Sequence, residues 1–379
     1  MSSLLFEPIM AGNLEVPNRF MSSSTASGHG GDGGVSEFMI ERCVSMGQGG
    51  VGIVQSGPTV VHPSGVSGPG RVSLMEGADL ASFRRLTEKV HETGMKAAIQ
   101  FVHPGRFCAV YQKSLGREAI APSFLGDDPP PSITPNSTAY HEATEVELAE
   151  LVEAFGDAAA RAREAGFDLV QVHAAHDSLF SQFLSPLSNR RVDRWGGALE
   201  NRMRLHLAVL AGMKKKTGED FPVSVKLGVL ETIPGGLEIQ DGIQAALELV
   251  RGGCDLLEVS QGAMSRPWEG TPMRMNITKP EDEAYFRAGS AAVKKRLPGA
   301  SRAVIALVGG IRSFEVAEEL LEKGEADMVS FCRPLIREPG LPGRWKSGDT
   351  RRAACISCNK CAMGLAEGRP LVCYLESAS

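Results

Sequence analysis

Two imidazoles stand three residues apart at the end of an apolar run of strand length, F-D-L-V-Q-V-H-A-A-H from Phe167 to His176. A buried strand that delivers His173 and His176 to its C-terminal mouth can grip an oxygen or a ring nitrogen, since a neutral imidazole offers one donor and one acceptor. A lone histidine is more often a satisfied core or loop group, but a pair at one strand end weights the reading toward chemistry. Gln100 and Lys226 fall at the ends of two other apolar runs, where polar groups could bond the carbonyls and nitrogens of a heterocycle. In A-L-V-G-G-I-R, Gly309 and Gly310 end a strand, where bare backbone N–H groups can approach an anion. F-C-R-P then adds Arg333 for a charge-assisted bond. In barrels of parallel strands, the loops after the seventh and eighth strands commonly hold phosphate.

The tail C-I-S-C-N-K-C-A-M-G-L-A-E-G-R-P-L-V-C carries Cys355, Cys358, Cys361 and Cys373, half of the chain's 8 cysteines. Four thiolates suit a 4Fe–4S cluster or a structural zinc, and three at consecutive two-residue spacings favour iron–sulfur over the two separated pairs usual for zinc. Eight cysteines in 379 residues are too sparse for a disulfide framework, which fits a reducing compartment.

Positioning these groups requires strands that end at one face. Apolar, β-branched segments recur near Phe20–Ser23, Gly52–Ser56, Ala97–Val102, Leu169–His173, Val223–Leu227, Leu256–Ser260, Val304–Val308 and Met328–Phe331. Stretches with apolar positions three and four apart predict helices near Ser36–Met46, Leu80–Thr93, Glu145–Ala165, Leu199–Lys216, Gln240–Arg251, Asp282–Arg296 and Phe314–Lys323. Eight alternations predict a parallel sheet closed into a (β/α)8 TIM barrel over residues 1–350, with a doubly wound open sheet as the alternative. A long insertion at about 103–143, with D-D-P-P-P-S-I-T-P in its middle, reads as a lid or substrate wall. Residues 351–379 are expected to form a short cysteine-rich, cluster-binding extension.

A formal net charge of −5 gives no basic surface for nucleic acid, and no apolar run approaches the ~18 residues that span a bilayer. The start M-S-S-L-L-F-E-P has neither a positive segment nor a long apolar one, so a cytoplasmic protein is expected. Two dinucleotide-type patterns, Gly28-Gly30-Gly33 and Gly47-Gly49-Gly52, read as glycine-rich turns. The second runs into a strand, and the first is followed by a strand carrying Gln55 and no acid for a ribose.

With these pieces assembled, the chain resembles the Old Yellow Enzyme family of FMN-dependent ene reductases across nearly its whole length. The resemblance is carried by L-F-E-P-I-M-A-G-N-L-E-V-P-N-R-F, Q-F-V-H-P-G-R, V-G-G-I-R and F-C-R-P. Its most specific part is H-A-A-H followed by Q-F-L-S-P-L-S-N-R-R-V-D-R-W-G-G-A-L-E-N-R. The four-cysteine tail is similar to the cluster-binding stretch of the 2,4-dienoyl-CoA reductase branch, which carries further flavin and nicotinamide domains after its cluster. The resemblance implies that His173 and His176 bind a substrate carbonyl and that Gln100 and Lys226 hold the isoalloxazine. It further implies that Gly309, Gly310 and Arg333 hold the phosphate, while Ser23, Ser24, Thr25, Gly57 and Cys332 lie along the cofactor. Hydride then passes from FMN to the β carbon of a carbonyl-activated C=C bond, or in reverse, and an acid protonates the α carbon.

The chain departs from the family at several points. Asp177 and Ser178 stand where the family commonly has Gly-Tyr, so the usual proton donor is missing, and Tyr111 on the insertion is the substitute expected, with Ser178 or water as alternatives. Arg266 stands near the place of a second acid, Lys226 replaces a frequent Arg, and Cys332 replaces a usual Gly. NAD(P)H stacking on the flavin, or an external electron-transfer protein acting through the cluster, is the expected electron source. The expected substrate is a small unsaturated carbonyl or CoA thioester, with no nucleic-acid or membrane partner and a homo-oligomer left open. The rival readings are an iron–sulfur/FMN electron-transfer subunit and a metal-dependent barrel hydrolase with His173 and His176 as ligands.

Overall fold

The computed structural model describes residues 3–26, 33–126, 138–263, 271–299 and 301–375. Gly28 and Gly30, the proline run of the insertion and Arg266 lie outside the described residues. Eight parallel strands form a closed barrel: β1 Phe20–Ser22, β2 Ile53–Val60, β3 Lys96–Val102, β4 Leu169–Ala174, β5 Val223–Gly228, β6 Leu256–Ser260, β7 Val304–Val308 and β8 Met328–Phe331. Strand β8 pairs back onto β1, with Val329 opposite Phe20. Between them run α1 Glu37–Gln48, α2 Ala81–His91, α3 Glu145–Glu164, α4 Arg204–Thr217, α5 Ile239–Arg251, α6 Arg287–Arg296 and α7 Phe314–Glu322. The expected (β/α)8 barrel is what the chain forms.

Local chemistry accounts for the element ends. Thr144 and Glu147 make a reciprocal capping box at the start of α3, and Arg161 and Arg163 lie in its last turn, where cations suit the helix dipole. Strand β2 is longer than its apolar run suggested, because the chain crosses Gly57-Pro58 by a register shift and keeps pairing with β3. The helix expected from Asp282 begins only at Arg287. Ala284 adopts a left-handed φ of 49°, and the Glu283 carboxylate accepts from the backbone of Arg312 and Ser313, which fixes that segment as a loop. The helix expected over Leu199–Lys216 is divided at Met203 into Leu199–Arg202 and α4, although Met203 itself keeps α-helical angles. The insertion carries structure of its own: a helix at Ala109–Ser114 and a parallel pair, Ala119–Ala121 with Tyr140–Glu142.

Inside the barrel the two ends differ. At one end Met21, Ile53, Ala98, Leu169, Leu256, Ala306 and Met328 pack into an apolar cluster, joined by Ala11 and Val16 of an N-terminal antiparallel pair. Toward the strand C-termini the interior turns polar. Gln55 and Gln100 both donate to Gln171 Oε1, at 2.9 and 2.6 Å, and Gln171 donates to Ser224 Oγ at 3.1 Å. Such a layer is tolerated because its members bond one another.

The tail is fastened beside β1 and β8. Trp345, 2 % exposed, packs its ring against Phe20, Phe314 and Phe331 at centroid distances of 6.1, 5.7 and 5.9 Å, and its Nε1 donates to Arg351 O. No helix among the described residues is long and apolar enough to cross a membrane. Trp345→Ala should lower the unfolding free energy by about 3–5 kcal/mol, as for other large aromatic truncations in cores. Urea denaturation measures this, and a loss under about 1 kcal/mol would refute the anchoring role.

Candidate active site

Strand β4 carries His173 to the barrel mouth, and the chain then turns sharply, with His176 and Asp177 in the left-handed region at φ 56° and 62°. Non-glycine residues hold that conformation at some cost, so the surroundings must impose it. Ser178 Oγ donates to His173 O at 2.8 Å, and Gln182 Nε2 donates to Asp177 O at 2.7 Å. The outcome is a pair of rings 5.4 Å apart, inclined at 66°, both lining one cavity of about 440 Å³. That volume lies in the range of small-molecule and cofactor sites.

Both rings are neutral at ordinary pH. Burial, and behind it the charge of Lys226, pushes His173 down to about 3. Burial, then Lys226 and His173, holds His176 well below its usual value. His176 Nε2 lies 2.7 Å from Ser260 Oγ, whereas the buried Nδ1 of His173 has no protein partner. An orphaned buried polar atom is rare in a folded protein and marks a place where an ordered water, an ion or a catalytic role is to be sought.

Most residues singled out in the sequence meet here. Ser23, Ser24, Thr25, Gln100, Lys226, Gly309, Gly310, Cys332 and Arg333 all line the same cavity as the two histidines. Lys226 Nζ donates to Ser23 Oγ at 2.6 Å, and Thr25 Oγ1 lies 3.1 Å from Cys332 Sγ. Gly309 and Gly310 have φ of 136° and 77°, and a Cβ on Gly310 would come within 2.5 Å of the Tyr285 ring. Only glycine fits there, and it leaves the backbone bare toward the cavity. Arg333 is committed through Nη1 to Arg274 O and Asn359 Oδ1, at 2.7 and 2.6 Å.

Three residues expected at the site lie off this lining. Tyr111 sits on the Ala109–Ser114 helix and is not among the cavity-lining residues, so the insertion does not bring its phenol to the imidazoles. Ser178 is also absent from the lining, because its hydroxyl is spent holding the His173–His176 turn. At the end of β2 it is Pro58 that lines the cavity, while Gly57 lies at the register shift.

Other contributors went unread. Glu258, fully buried, pairs with Lys226 Nζ at 3.2 Å and accepts from Ser330 Oγ at 2.9 Å. Its acidic side chain inside an apolar strand, G-G-C-D-L-L-E-V, was the available signal. Arg312 lines the cavity and donates to Cys355 O and Ser357 Oγ, at 3.1 and 2.6 Å, which joins the barrel mouth to the tail. Tyr285 was hidden in a helix-like stretch that turned out to be loop.

The four tail thiols, all free, line a second, small cavity of about 20 Å³. Ser357 and Asn359 take left-handed φ of 57° and 61° in the loop that carries Cys355 and Cys358 and leads into the short helix Lys360–Ala366, which carries Cys361. Arg337 Nη1 lies 3.2 Å from Cys373 Sγ. Among the described residues there is no group of three or more His, Cys, Asp or Glu that could hold a metal ion. Cys361 also lines the larger cavity, together with Ala362, Leu365 and Leu371, so the tail forms part of its wall.

The chain is similar to known proteins in sequence and fold. The chain is 33 % identical to the NADH oxidase of Thermoanaerobacter brockii over 363 residues, covering 94 % of this chain and 52 % of that protein. It therefore spans about half the length of this curated relative. It superposes on 2-naphthoyl-CoA reductase in complex with 2-naphthoyl-CoA with a TM-score of 0.86 and 27 % identity, over 98 % of this chain and 56 % of that one. The old yellow enzyme homologue from Zymomonas mobilis matches with a TM-score of 0.75 and 25 % identity, over 93 % of this chain and 95 % of that one. The sequence profile of the NADH:flavin oxidoreductase / NADH oxidase family matches residues 4–351. With its closed barrel and the histidine pair at the mouth, the chain belongs to the NADH:flavin oxidoreductase / NADH oxidase family.

Proposed function

We propose that the chain is an FMN-dependent oxidoreductase of the ene-reductase type, acting on a C=C bond conjugated to a carbonyl or thioester. The observation that carries this reading is the pair of neutral imidazoles, one with an orphaned nitrogen, in the same cavity as a buried cation and a glycine cradle. The cavity fits the cofactor chemically. Gln100, Lys226 and Ser23 would hold the isoalloxazine, and the backbone of Gly309 and Gly310 with Arg312 and Arg333 would hold the phosphate. Bound FMN supplies two-electron transfer to an electron-poor carbon.

The protein's own part is polarisation and exclusion. His173 and His176 donate their N–H groups to the substrate's carbonyl oxygen and draw electron density from its β carbon. Their neutrality matters, because a neutral donor can stabilise developing negative charge without first attracting a competing anion. With Tyr111 and Ser178 off the cavity wall, we assign the α-carbon proton to water. Similarity to 2-naphthoyl-CoA reductase supports the thioester end of the substrate range. NADH or NADPH, or an external electron-transfer protein, would supply electrons.

We also propose a 4Fe–4S cluster on Cys355, Cys358, Cys361 and Cys373, in an extension spanning 351–379. Four cysteines gathered around one small cavity, three of them within seven residues of chain, support this reading. A zinc ion would need its thiolates on one centre with bonds of about 2.3 Å, whereas a four-iron cube spreads them over its corners.

Anaerobic turnover of 2-cyclohexenone and crotonyl-CoA, with NADH, NADPH or reduced methyl viologen as donor, tests the activity. Replacing His173 and His176 together by Ala should lower kcat/KM by about 100-fold or more and abolish phenol binding, with flavin retained. Loss of the flavin in that variant would refute the assigned roles. Replacing Cys355 and Cys358 by Ala should remove iron, acid-labile sulfide and brown absorbance. If the wild-type protein instead carries one zinc and no sulfide, the cluster proposal falls.

The histidines also set a pH dependence. Unfolded, their imidazoles take up protons below about pH 6.5, whereas folded His173 resists protonation until about pH 3. The stability gained from keeping the rings neutral is therefore full above pH 6.5 and declines as pH falls toward 3. Urea unfolding at pH 7.5 and 5.0 should show the lower value at pH 5.0, with a smaller difference in the double His→Ala variant.

A further inference from the structure

Lys226 does not stand alone in the barrel. Its Nζ lies between Ser23 Oγ at 2.6 Å and Glu258 Oε1 at 3.2 Å, and Ser330 Oγ donates to that same Oε1 at 2.9 Å. Lys226 and Glu258 are also register partners on β5 and β6, so the strand ladder, not a flexible reach, brings them together. Glu258 is fully buried, and its Oε2 has no partner. A half-satisfied buried carboxylate is a poor stabilising device, since desolvation of the two ions offsets most of their attraction. Ser23, Lys226 and Ser330 line the large cavity, and Glu258 lies behind them, outside the lining. The carboxylate can act on the cavity only through its neighbours and its field.

We propose that Glu258 is a positioning residue that pins the Lys226 ammonium and offsets its charge, so that the cofactor chamber presents a held donor without a net cation. This rests on the FMN reading of the chamber. An uncompensated lysine beside the flavin would stabilise every negatively charged form of the ring, make the flavin easier to reduce and leave the reduced form a weaker hydride donor. A lysine stem carries four rotatable carbons, and without its counter-ion Nζ would be free to swing toward the cavity. With Glu258 in place, Lys226 still donates a hydrogen bond, but the two charges cancel at a distance. A unit charge a few Å away in a medium of effective dielectric near 20 alters an ionic equilibrium by roughly tenfold or more, so the effect is measurable.

Sulfite provides the test, because its sulfur lone pair bonds to flavin N5 and leaves negative charge on the ring. FMN-loaded wild type, Glu258→Gln and Glu258→Asp are titrated with sulfite, and their midpoint potentials are measured by dye equilibration. Glu258→Gln should bind sulfite about tenfold more tightly and shift the potential upward. Glu258→Asp, with its charge kept but drawn back by one methylene, should fall between, and it serves alone if the Gln variant does not fold. Mere loosening of the site would weaken sulfite binding and flavin retention instead. Unchanged or weaker sulfite affinity in variants that keep their flavin would overturn the proposal for Glu258 and leave the FMN reading standing. A wild-type protein that takes up no FMN would overturn both.

Discussion

A charge taken inside a closed barrel must be compensated there, and this constraint organises the upper half of the molecule. Lys226 enters from β5, and Glu258 meets it from the neighbouring strand, with serines from β8 and from just after β1 completing the set. The glutamine chain from β2, β3 and β4 continues the same polar layer around the interior. Below it the barrel is apolar and sealed by the N-terminal strand pair. The cavity therefore has a polar floor, and burial above all keeps the two imidazoles over it uncharged.

The architecture was legible because a closed parallel barrel writes itself as a repeating pattern. Strands buried on both faces read as short apolar runs, and the outer helices read as three-and-four spacing. Boundaries failed where side chains overrode the pattern: at Gly57-Pro58, where a register shift let β2 continue, and at Glu283–Phe286, where a carboxylate capturing backbone N–H groups turned a helical stretch into loop. Neither event has a periodic signature.

Candidate residues at strand ends do meet at one cavity, because strand direction alone puts them at the mouth, as with His173, Gln100, Lys226 and Gly309. Residues that depend on loop paths were not. Tyr111 has suitable chemistry, but the insertion folds it onto its own short helix, away from the cavity lining. Ser178 has suitable position, but its hydroxyl is bonded to the backbone. Glu258 and Arg312 were missed for the opposite reason. Each lay within a stretch already assigned a role, the acid in a strand and the guanidinium after a glycine pair, and only three-dimensional contact shows what each one holds.

The chamber wall is completed by Cys361, Ala362, Leu365 and Leu371, all of which follow the last strand of the cylinder in the chain. A nascent chain can close its staves once Phe331 has emerged, yet it still presents an open-sided pocket. A chain cut short at Phe331 would therefore display a complete cylinder with one side of its chamber missing.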